Sequence, residues 1–533
     1  MSNSTIPEGL SVESDIVLPT LIRRRAKESP DRVFLEHVDG SRMTYGELQE
    51  KADLWSGVLA ALGVTPGSTV VSLVPTSFET IALWMGVARL RAIEVPVNTA
   101  YVGRMLEYVL ADSKADVFVV DVRFAERLAD ASQALQGRTV IFVGGPAPSI
   151  EGAARVVEAR NVVTSFNDAD WPEPEPHDIA TIMYTSGTTG ASKGVLVTWA
   201  HSMASAIGCF PEADFGEDDV WYGPFPLFHV SGKAPIHSMA HANGRVVLRE
   251  VFNTGQYWED IRRHGCTATL LMGSTAVFLE SQPPSEDDLD HPLEKVLMSP
   301  LPDDVNRFKE RFGVRVRSVF NMTEISCPIQ TSWDLVDGRS CGRVAPGYQC
   351  RVVDEHDELV PPGVLGELVV RADKPWVQMA GYWNMPEKTV EAWRNLWFHT
   401  GDGFICDEGG NFYFVDRRKD AIRRRGENIS SMEVEADINT HPDVMESAVI
   451  AIPSEWSEDE VMAVIVRRLG SDLEASGLYD YLVPRMARFM LPRYIAFADE
   501  LPKTPTEKVR KAVLRDQGVR SDTWDRDAVL GDR

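Results

Sequence analysis

The run YTSGTTGASKG, Tyr184 to Gly194, holds three glycines, a series of hydroxyl side chains and one lysine. Glycine lets a backbone approach an anion closely, hydroxyls and amides donate to it, and a lysine adds a point charge. The chemistry that suits such a set is the grip of a phosphate. A P-loop of the G-x-x-x-x-G-K-[ST] type is excluded by spacing, because Lys193 follows Ser192 and Gly194 stands where Ser or Thr would meet a magnesium ion. The flanks also differ. IATIMYT before the run reads as a strand, and GVLVT after it reads as another strand instead of a helix. The loop is therefore expected at the tip of a hairpin. By composition alone a plain flexible loop has the same residue types.

The elements that must carry this loop alternate. STVVSLV, IEVPVN, ADVFVVD and RTVIFVGG read as strands, with helices predicted over SFETIALWMGVARLRA and VRFAERLADASQAL. The same alternation resumes with GRVVLRE, GQYWEDIRRHG, TATLLMG, DDVNRFKERFG and VRVRSVFNM. Alternating β and α segments imply layered α/β architecture with largely parallel sheets. After residue 345 the pattern turns antiparallel, a hairpin or small barrel over YQCRVVDEHDELVPPGVLGELVVRA. A small α+β unit is expected to follow, opened by a helix with Ser430 and Glu433 in capping-box spacing and closed by a helix over TEKVRKAVLRDQ. The expected organisation is an N-terminal domain 1–416, a hinge 417–420, a small C-terminal domain 421–518 and a polar tail 519–533.

Composition narrows the function class. With 533 residues, 44% hydrophobic and 25% charged, the chain has the profile of a soluble protein of two or more domains. Its net charge of −25 argues against general nucleic-acid or anionic-membrane binding. The six cysteines contain no C-x-x-C pair, so neither a disulfide framework nor a zinc site is expected, and reduced thiols suit a cytoplasmic setting. The N-terminal stretch is polar and acidic and does not read as a signal peptide. The most apolar helix is interrupted by Arg89 and Arg91, which argues against an integral membrane protein.

The opening run closely resembles the phosphate loop of the adenylate-forming superfamily, the acyl-CoA synthetases, luciferases and peptide-synthetase adenylation domains. It departs from that pattern at Ser192, where the family has proline. Six further segments resemble the family's motifs in order: PLFHVSG, FNMTE, GELVVRADKPWVQMAGYWNMPEKT, HTGD, DRRKDAIRRRGENISSMEVE and LPKTPTEKVRK. The resemblance spans about residues 15–518, and IRRRGENIS resembles the carnitine/crotonobetaine-CoA ligase subgroup.

The resemblance implies an ATP-dependent carboxylic acid–CoA ligase acting on an organic or fatty acid. A carboxylate attacks Mg-ATP to give acyl-AMP and pyrophosphate, and the thiol of coenzyme A then takes the acyl group. It implies that Thr185, Ser186, Gly187, Thr188, Thr189 and Lys193 hold the β- and γ-phosphates, that Glu324 coordinates Mg²⁺, that Thr323 donates toward the α-phosphate and that Phe320 stacks on adenine. Asp402, assisted by Arg417, would receive the ribose hydroxyls. Lys508, among the nearby Lys503 and Lys511, would bridge the carboxylate and the α-phosphate from a mobile C-terminal domain. Lys419 takes the hinge position, Arg425 and Gly426 the coenzyme A side, with Arg423 and Arg424 adding to a local cationic cluster. His229 would line the acyl pocket, where amino-acid-activating relatives often carry Asp. Asn321 and Glu507 stand where the family commonly has glycine. The alternatives are an adenylating enzyme that loads a carrier protein in trans, a luciferase-like oxygenase and a non-catalytic nucleotide binder. A homodimer is compatible with the sequence.

Overall fold

Apolar strands flanked by amphipathic helices cannot bury both faces of a sheet alone, so the chain stacks them in layers. A computed structural model describes residues 16–530 except 163–170, 186–191, 303, 334, 336, 418–421, 425–426, 430, 455–458, 487–489 and 505–507. The described chain divides into two compact units. The first holds residues up to 350 together with 370–398, and the second holds 351–369 and the residues from 399 onward.

Two seven-stranded sheets build the first unit. One runs Arg155–Glu158, Thr139–Val143, Val117–Asp121, Thr69–Leu73, Ile93–Pro96, Ile179–Thr185 and Lys193–Thr198 in spatial order. Its pairings are parallel until the last, where Ile179–Thr185 and Lys193–Thr198 lie antiparallel. The other runs Arg315–Arg317, Lys295–Met298, Ala268–Leu271, Val220–Gly223, Arg245–Leu248, Val33–His37 and Arg42–Thr44, with only the last pairing antiparallel. Successive side chains point to opposite faces. Thus Val117 and Val119 join the core shared with the second sheet, while Phe118 and Val120 pack against the helix Gly103–Asp112. The central layer between the sheets contains the helices Tyr45–Ala61, Phe78–Arg89, Trp199–Cys209 and Val230–Ala242. Among the described residues no helix is long and apolar enough to cross a membrane.

Two local readings differ from the sequence expectation. The run VRFAERLADASQAL forms a 3₁₀ helix over Val122–Ala131 instead of an α-helix. VRVRSVFNM, expected as one strand, breaks at Ser318 into Arg315–Arg317, on the edge of a large sheet, and Val319–Met322, in a separate three-stranded sheet with Ser326–Gln330 and Arg343–Val344. At the break Ser318 turns to Thr331: its N–H donates to the Thr331 hydroxyl at 2.8 Å, and its carbonyl accepts from Thr331 N–H at 2.9 Å.

A four-stranded sheet orders Tyr348–Val353, Gly366–Ala372, Phe398–Cys406 and Phe412–Arg417. A further sheet orders Val444–Pro453, Asp459–Arg467, Tyr494–Ala498 and Trp524–Asp525, covered by helices Ser431–Asn439, Ala475–Leu482 and Lys511–Gln517. Ser430 and the Glu433 side chain, expected as a capping box, lie outside the described residues. The stretch expected as a polar tail adds the strand Trp524–Asp525, and Arg493 pairs with Asp525 and Asp527 at 3.2 Å to fasten it. The helix expected over TEKVRKAVLRDQ begins at Lys511, later than expected, which leaves Lys508 outside it.

Candidate active site

The hairpin that carries the opening loop is anchored at both strands. Thr185 stands opposite Lys193 at its open end, and the Thr185 hydroxyl lies 3.4 Å from the Lys193 carbonyl. The Tyr184 hydroxyl donates to Asp112 Oδ2 at 2.6 Å, and the Tyr108 hydroxyl donates to the Ser192 carbonyl at 3.0 Å. One helix, Gly103–Asp112, thus holds the strand before the loop and the residue after it. Ser186, Gly187, Thr188 and Thr189 lie outside the described residues.

A short extended segment, 380–383, docks along the outer edge of this hairpin. Ala380 N–H donates to Leu196 O at 2.9 Å, Leu196 N–H to Gly381 O at 3.0 Å, and Trp383 N–H to Gly194 O at 2.7 Å. Gly194 is required for this approach. A Cβ there would lie 2.7 Å from Ile182 Cγ2 and 3.2 Å from Trp383 Cβ.

That docking puts Tyr382 between two opposite charges. The Lys193 ammonium lies 4.5 Å from the centre of the Tyr382 ring, a cation–π distance. At the other end, the Tyr382 hydroxyl donates to Glu324 Oε1 at 3.0 Å. Burial, and secondarily the Glu324 charge, raise the Tyr382 pKa, so the phenol remains a donor at neutral pH. Glu324 itself is buried at the tip of the hairpin formed by Val319–Met322 and Ser326–Gln330. Its carbonyl accepts from Met379 N–H at 2.8 Å, which ties the tip to the segment that leads into Tyr382.

A buried carboxylate that shares a neutral phenol with Lys193 is a hard oxygen donor, of the kind that suits a divalent cation also held by phosphate oxygens. No cluster of three or more His, Cys, Asp or Glu side chains able to hold a metal alone occurs among the described residues. A single carboxylate therefore fits Mg²⁺ only as a partner to a phosphate ligand.

Thr323, beside Glu324, lines a narrow cavity together with His201, Ser202, Ser205 and Lys233. Phe320 is half-buried on the same hairpin, opposite Ile329. His229 caps the helix Val230–Ala242: its Nδ1 accepts from Ser231 N–H at 3.2 Å and lies 2.9 Å from the Ser231 hydroxyl. The ring is thus held in place by the start of the helix that supplies Lys233.

In the second unit, Asp402 follows Gly401, whose φ of +72° favours glycine. The turn is fixed by Glu367, which accepts from Gly401 N–H at 2.9 Å and from the His399 ring at 3.2 Å. Asp402 is buried, and its N–H donates to the Thr400 hydroxyl at 3.1 Å. The strand register sets Asp402 directly opposite Arg417.

Lys508 is exposed. Thr504 N–H donates to the Lys508 carbonyl at 2.8 Å, Lys508 N–H donates to the Thr504 hydroxyl at 3.2 Å, and Lys503 bridges to Val509. Nearby, Lys503 pairs with Glu446 at 2.6 Å and Lys511 with Glu435 at 2.8 Å. Lys419, Arg425 and Gly426 lie outside the described residues. Arg424, expected in a cationic cluster, is turned inward: it pairs with Glu460 at 2.8 Å and donates to the Leu491 carbonyl at 3.0 Å.

The sequence reading assigns no role to Tyr382, Lys233 or His201. Tyr382 was within reach, since it lies in the G-Y segment that the resemblance covers. Lys233 and His201 sit in apolar helices and carry no spacing signal.

The chain matches the AMP-binding enzyme family over residues 22–383 and the AMP-binding enzyme C-terminal domain over residues 433–508. It is 28% identical over 484 residues to a crotonobetaine/carnitine–CoA ligase of Salmonella arizonae, covering 89% of this chain and 93% of the relative. Its fold matches ATP-bound MatB of Rhodopseudomonas palustris with a TM-score of 0.82 at 26% identity, covering 95% of this chain and 99% of that one. It also matches the O-succinylbenzoate coenzyme A synthetase MenE of Bacillus subtilis in complex with AMP, with a TM-score of 0.81 at 23% identity and 95% and 99% coverage.

Proposed function

We propose, from the premise that the chain belongs to the AMP-binding enzyme family and is an AMP-forming acyl-CoA ligase, that it joins a small carboxylic acid to coenzyme A through an acyl-adenylate. The acid's carboxylate attacks the α-phosphorus of ATP, the bond to the β-phosphate breaks, and pyrophosphate leaves. The coenzyme A thiol then attacks the acyl carbonyl and AMP leaves.

The first step brings two anions together, so it depends on charge neutralisation and alignment. Thr185, Ser186, Gly187, Thr188, Thr189 and Lys193 hold the departing β- and γ-phosphates. Thr323 donates toward the α-phosphate, Phe320 lies against adenine, and Asp402 with Arg417 receives the ribose. Glu324 would hold Mg²⁺, which when bound supplies positive charge to the phosphate oxygens. Tyr382 keeps Glu324 and Lys193 in register.

Lys508 bridges the substrate carboxylate and the α-phosphate. A domain 421–518 turning at a hinge 417–420 around Lys419 would withdraw it and admit coenzyme A beside Arg425 and Gly426, a gating step of the lid type. The spacing from Pro502 and Thr504 supports Lys508 as the lysine of that role.

The observation that carries the reading is the Lys193–Tyr382–Glu324 contact, which joins a phosphate hairpin to a cation-binding carboxylate. The test is pyrophosphate release over a panel of carboxylic acids. The expected result is acid-dependent release with ATP; release without any acid would mark the chain as a nucleotide hydrolase and end the reading.

A further inference from the structure

The helix Gly103–Asp112 ends on a carboxylate that the reaction itself does not use. Asp112 is half-buried, and two further segments of the chain meet at it. Its Oδ2 accepts from the Tyr184 hydroxyl at 2.6 Å, on the strand Ile179–Thr185 that leads into the phosphate loop. Its Oδ1 accepts from Asn384 Nδ2 at 3.0 Å. Its main-chain carbonyl is one of those that a helix end leaves without an intrahelical donor. That carbonyl accepts from Trp383 Nε1 at 2.8 Å and from the same Asn384 amide at 2.9 Å. Lys114 Nζ lies 2.5 Å from Asn384 Oδ1, which turns the amide nitrogen toward Asp112.

These contacts enclose the strand that begins at Lys193. On one side, Tyr184 stands opposite Gly194, one rung inside the terminal pair Thr185–Lys193. On the other side, Trp383 N–H donates to the Gly194 carbonyl at 2.7 Å, and the ring of the adjacent Tyr382 is 4.5 Å from the Lys193 ammonium. The Asp112 carboxylate therefore reaches from the strand before the loop to the segment that carries Tyr382, with the Lys193–Thr198 strand between them. Burial, and then Asp112, raise the Tyr184 pKa, so the phenol stays a donor at neutral pH.

We infer that Asp112 is a positioning residue for ATP: it sets the spacing between the phosphate hairpin and Tyr382, and so places the Lys193 ammonium for the β- and γ-phosphates. This rests on the acid–CoA ligase reading for the role of Lys193. Asp112, an anion, is not itself a phosphate ligand; it acts through Tyr184 and Asn384. Its main-chain contacts to Trp383 and Asn384 do not need its side chain, so Asp112→Ala cuts the tie to Tyr184 and keeps the docked segment. Charge and position then argue in opposite directions. Loss of an anion beside a phosphate site favours ATP by Coulomb attraction alone. Weaker ATP binding in Asp112→Ala therefore reports lost alignment. AMP is the internal control, because it carries neither of the phosphates assigned to Lys193.

The test is calorimetric titration of Mg-ATP and of AMP into the full-length protein, with no acid present. In Asp112→Ala the Kd for ATP should rise roughly tenfold or more, the scale of a lost hydrogen bond to a charged group, while the Kd for AMP is unchanged. Asp112→Asn should recover most of the loss, because its amide oxygen still accepts from Asn384 and its NH₂ donates to the Tyr184 oxygen. Tyr184→Phe should weaken ATP in the same way and add nothing to Asp112→Ala, since both remove one contact. If Asp112→Ala does not fold, Tyr184→Phe, which loses a single oxygen atom, carries the comparison of ATP with AMP. Unchanged or tighter ATP binding, equal losses for ATP and AMP, or no recovery in Asp112→Asn overturns the inference and leaves the ligase reading intact. No binding of ATP by the wild type overturns both.

Discussion

Tyr382 meets a cation with its ring face and a carboxylate with its hydroxyl, so one atom separates its two duties. Tyr382→Phe keeps the ring over Lys193 and removes only the donor to Glu324. A hydrogen bond to a charged group contributes about 1.5–3 kcal/mol, so kcat/KM for ATP should fall roughly 10- to 100-fold while the fold survives. Unchanged kinetics would remove Tyr382 from the site. His201 gives a pH signature at the same scale. Its folded pKa is lowered to about 3 by burial, as is that of His237, so below their ordinary value of 6.5 the unfolded chain binds protons that the fold excludes. Stability is therefore full above about pH 6.5 and falls as pH drops, by about 1.4 kcal/mol per pH unit for each histidine. Urea unfolding at pH 7 and pH 5 should show His201→Gln losing less stability than the wild type by roughly 1–2 kcal/mol; equal losses would contradict the neutral buried ring. The burial of His201 was not legible in the sequence, since a histidine among apolar helix residues carries no mark of its environment. Glu324 and Lys193, which meet the two ends of Tyr382, were picked out because short ordered motifs name them.

At the scale of elements, the phosphate hairpin was readable from its two strands, and the register of Thr185 with Lys193 follows from the antiparallel pairing. What the strands did not reveal is the third edge, residues 380–383, which pairs across a long stretch of chain. Gly194→Ala tests it. The added Cβ would sit 2.7 Å from Ile182 Cγ2 and 3.2 Å from Trp383 Cβ, so the edge must shift. Overpacking of this kind costs about 1–3 kcal/mol, and a rise in KM for ATP should accompany the loss in chemical unfolding. A variant of wild-type stability would show that the edge is not tightly seated. The two misread elements depart from their patterns locally. Alternating charge and apolar residues made VRVRSVFNM look like one strand, but at Ser318 the chain turns to Thr331. TEKVRK has helical composition, yet Thr504 N–H bonds to the Lys508 carbonyl and the helix begins only at Lys511.

At the scale of the whole molecule, the alternation of strands and helices gave the α/β class and the antiparallel change after residue 345, because periodicity is what burial in layers demands. The proposed division of labour between the two half-reactions is tested by Lys508→Ala. Adenylation should fall roughly 10²- to 10³-fold, the scale of losing one stabilising donor to developing charge, while thioester formation from supplied acyl-AMP is largely retained. Equal loss of both would refute the hinge. The central claim, that acid activation ends in a coenzyme A thioester, is tested most directly by mass detection of the product with and without coenzyme A. One acyl-CoA per AMP released, with both ATP and coenzyme A required, is the expected result. Acyl-adenylate that accumulates unchanged in the presence of coenzyme A and discharges only to a carrier protein would contradict it.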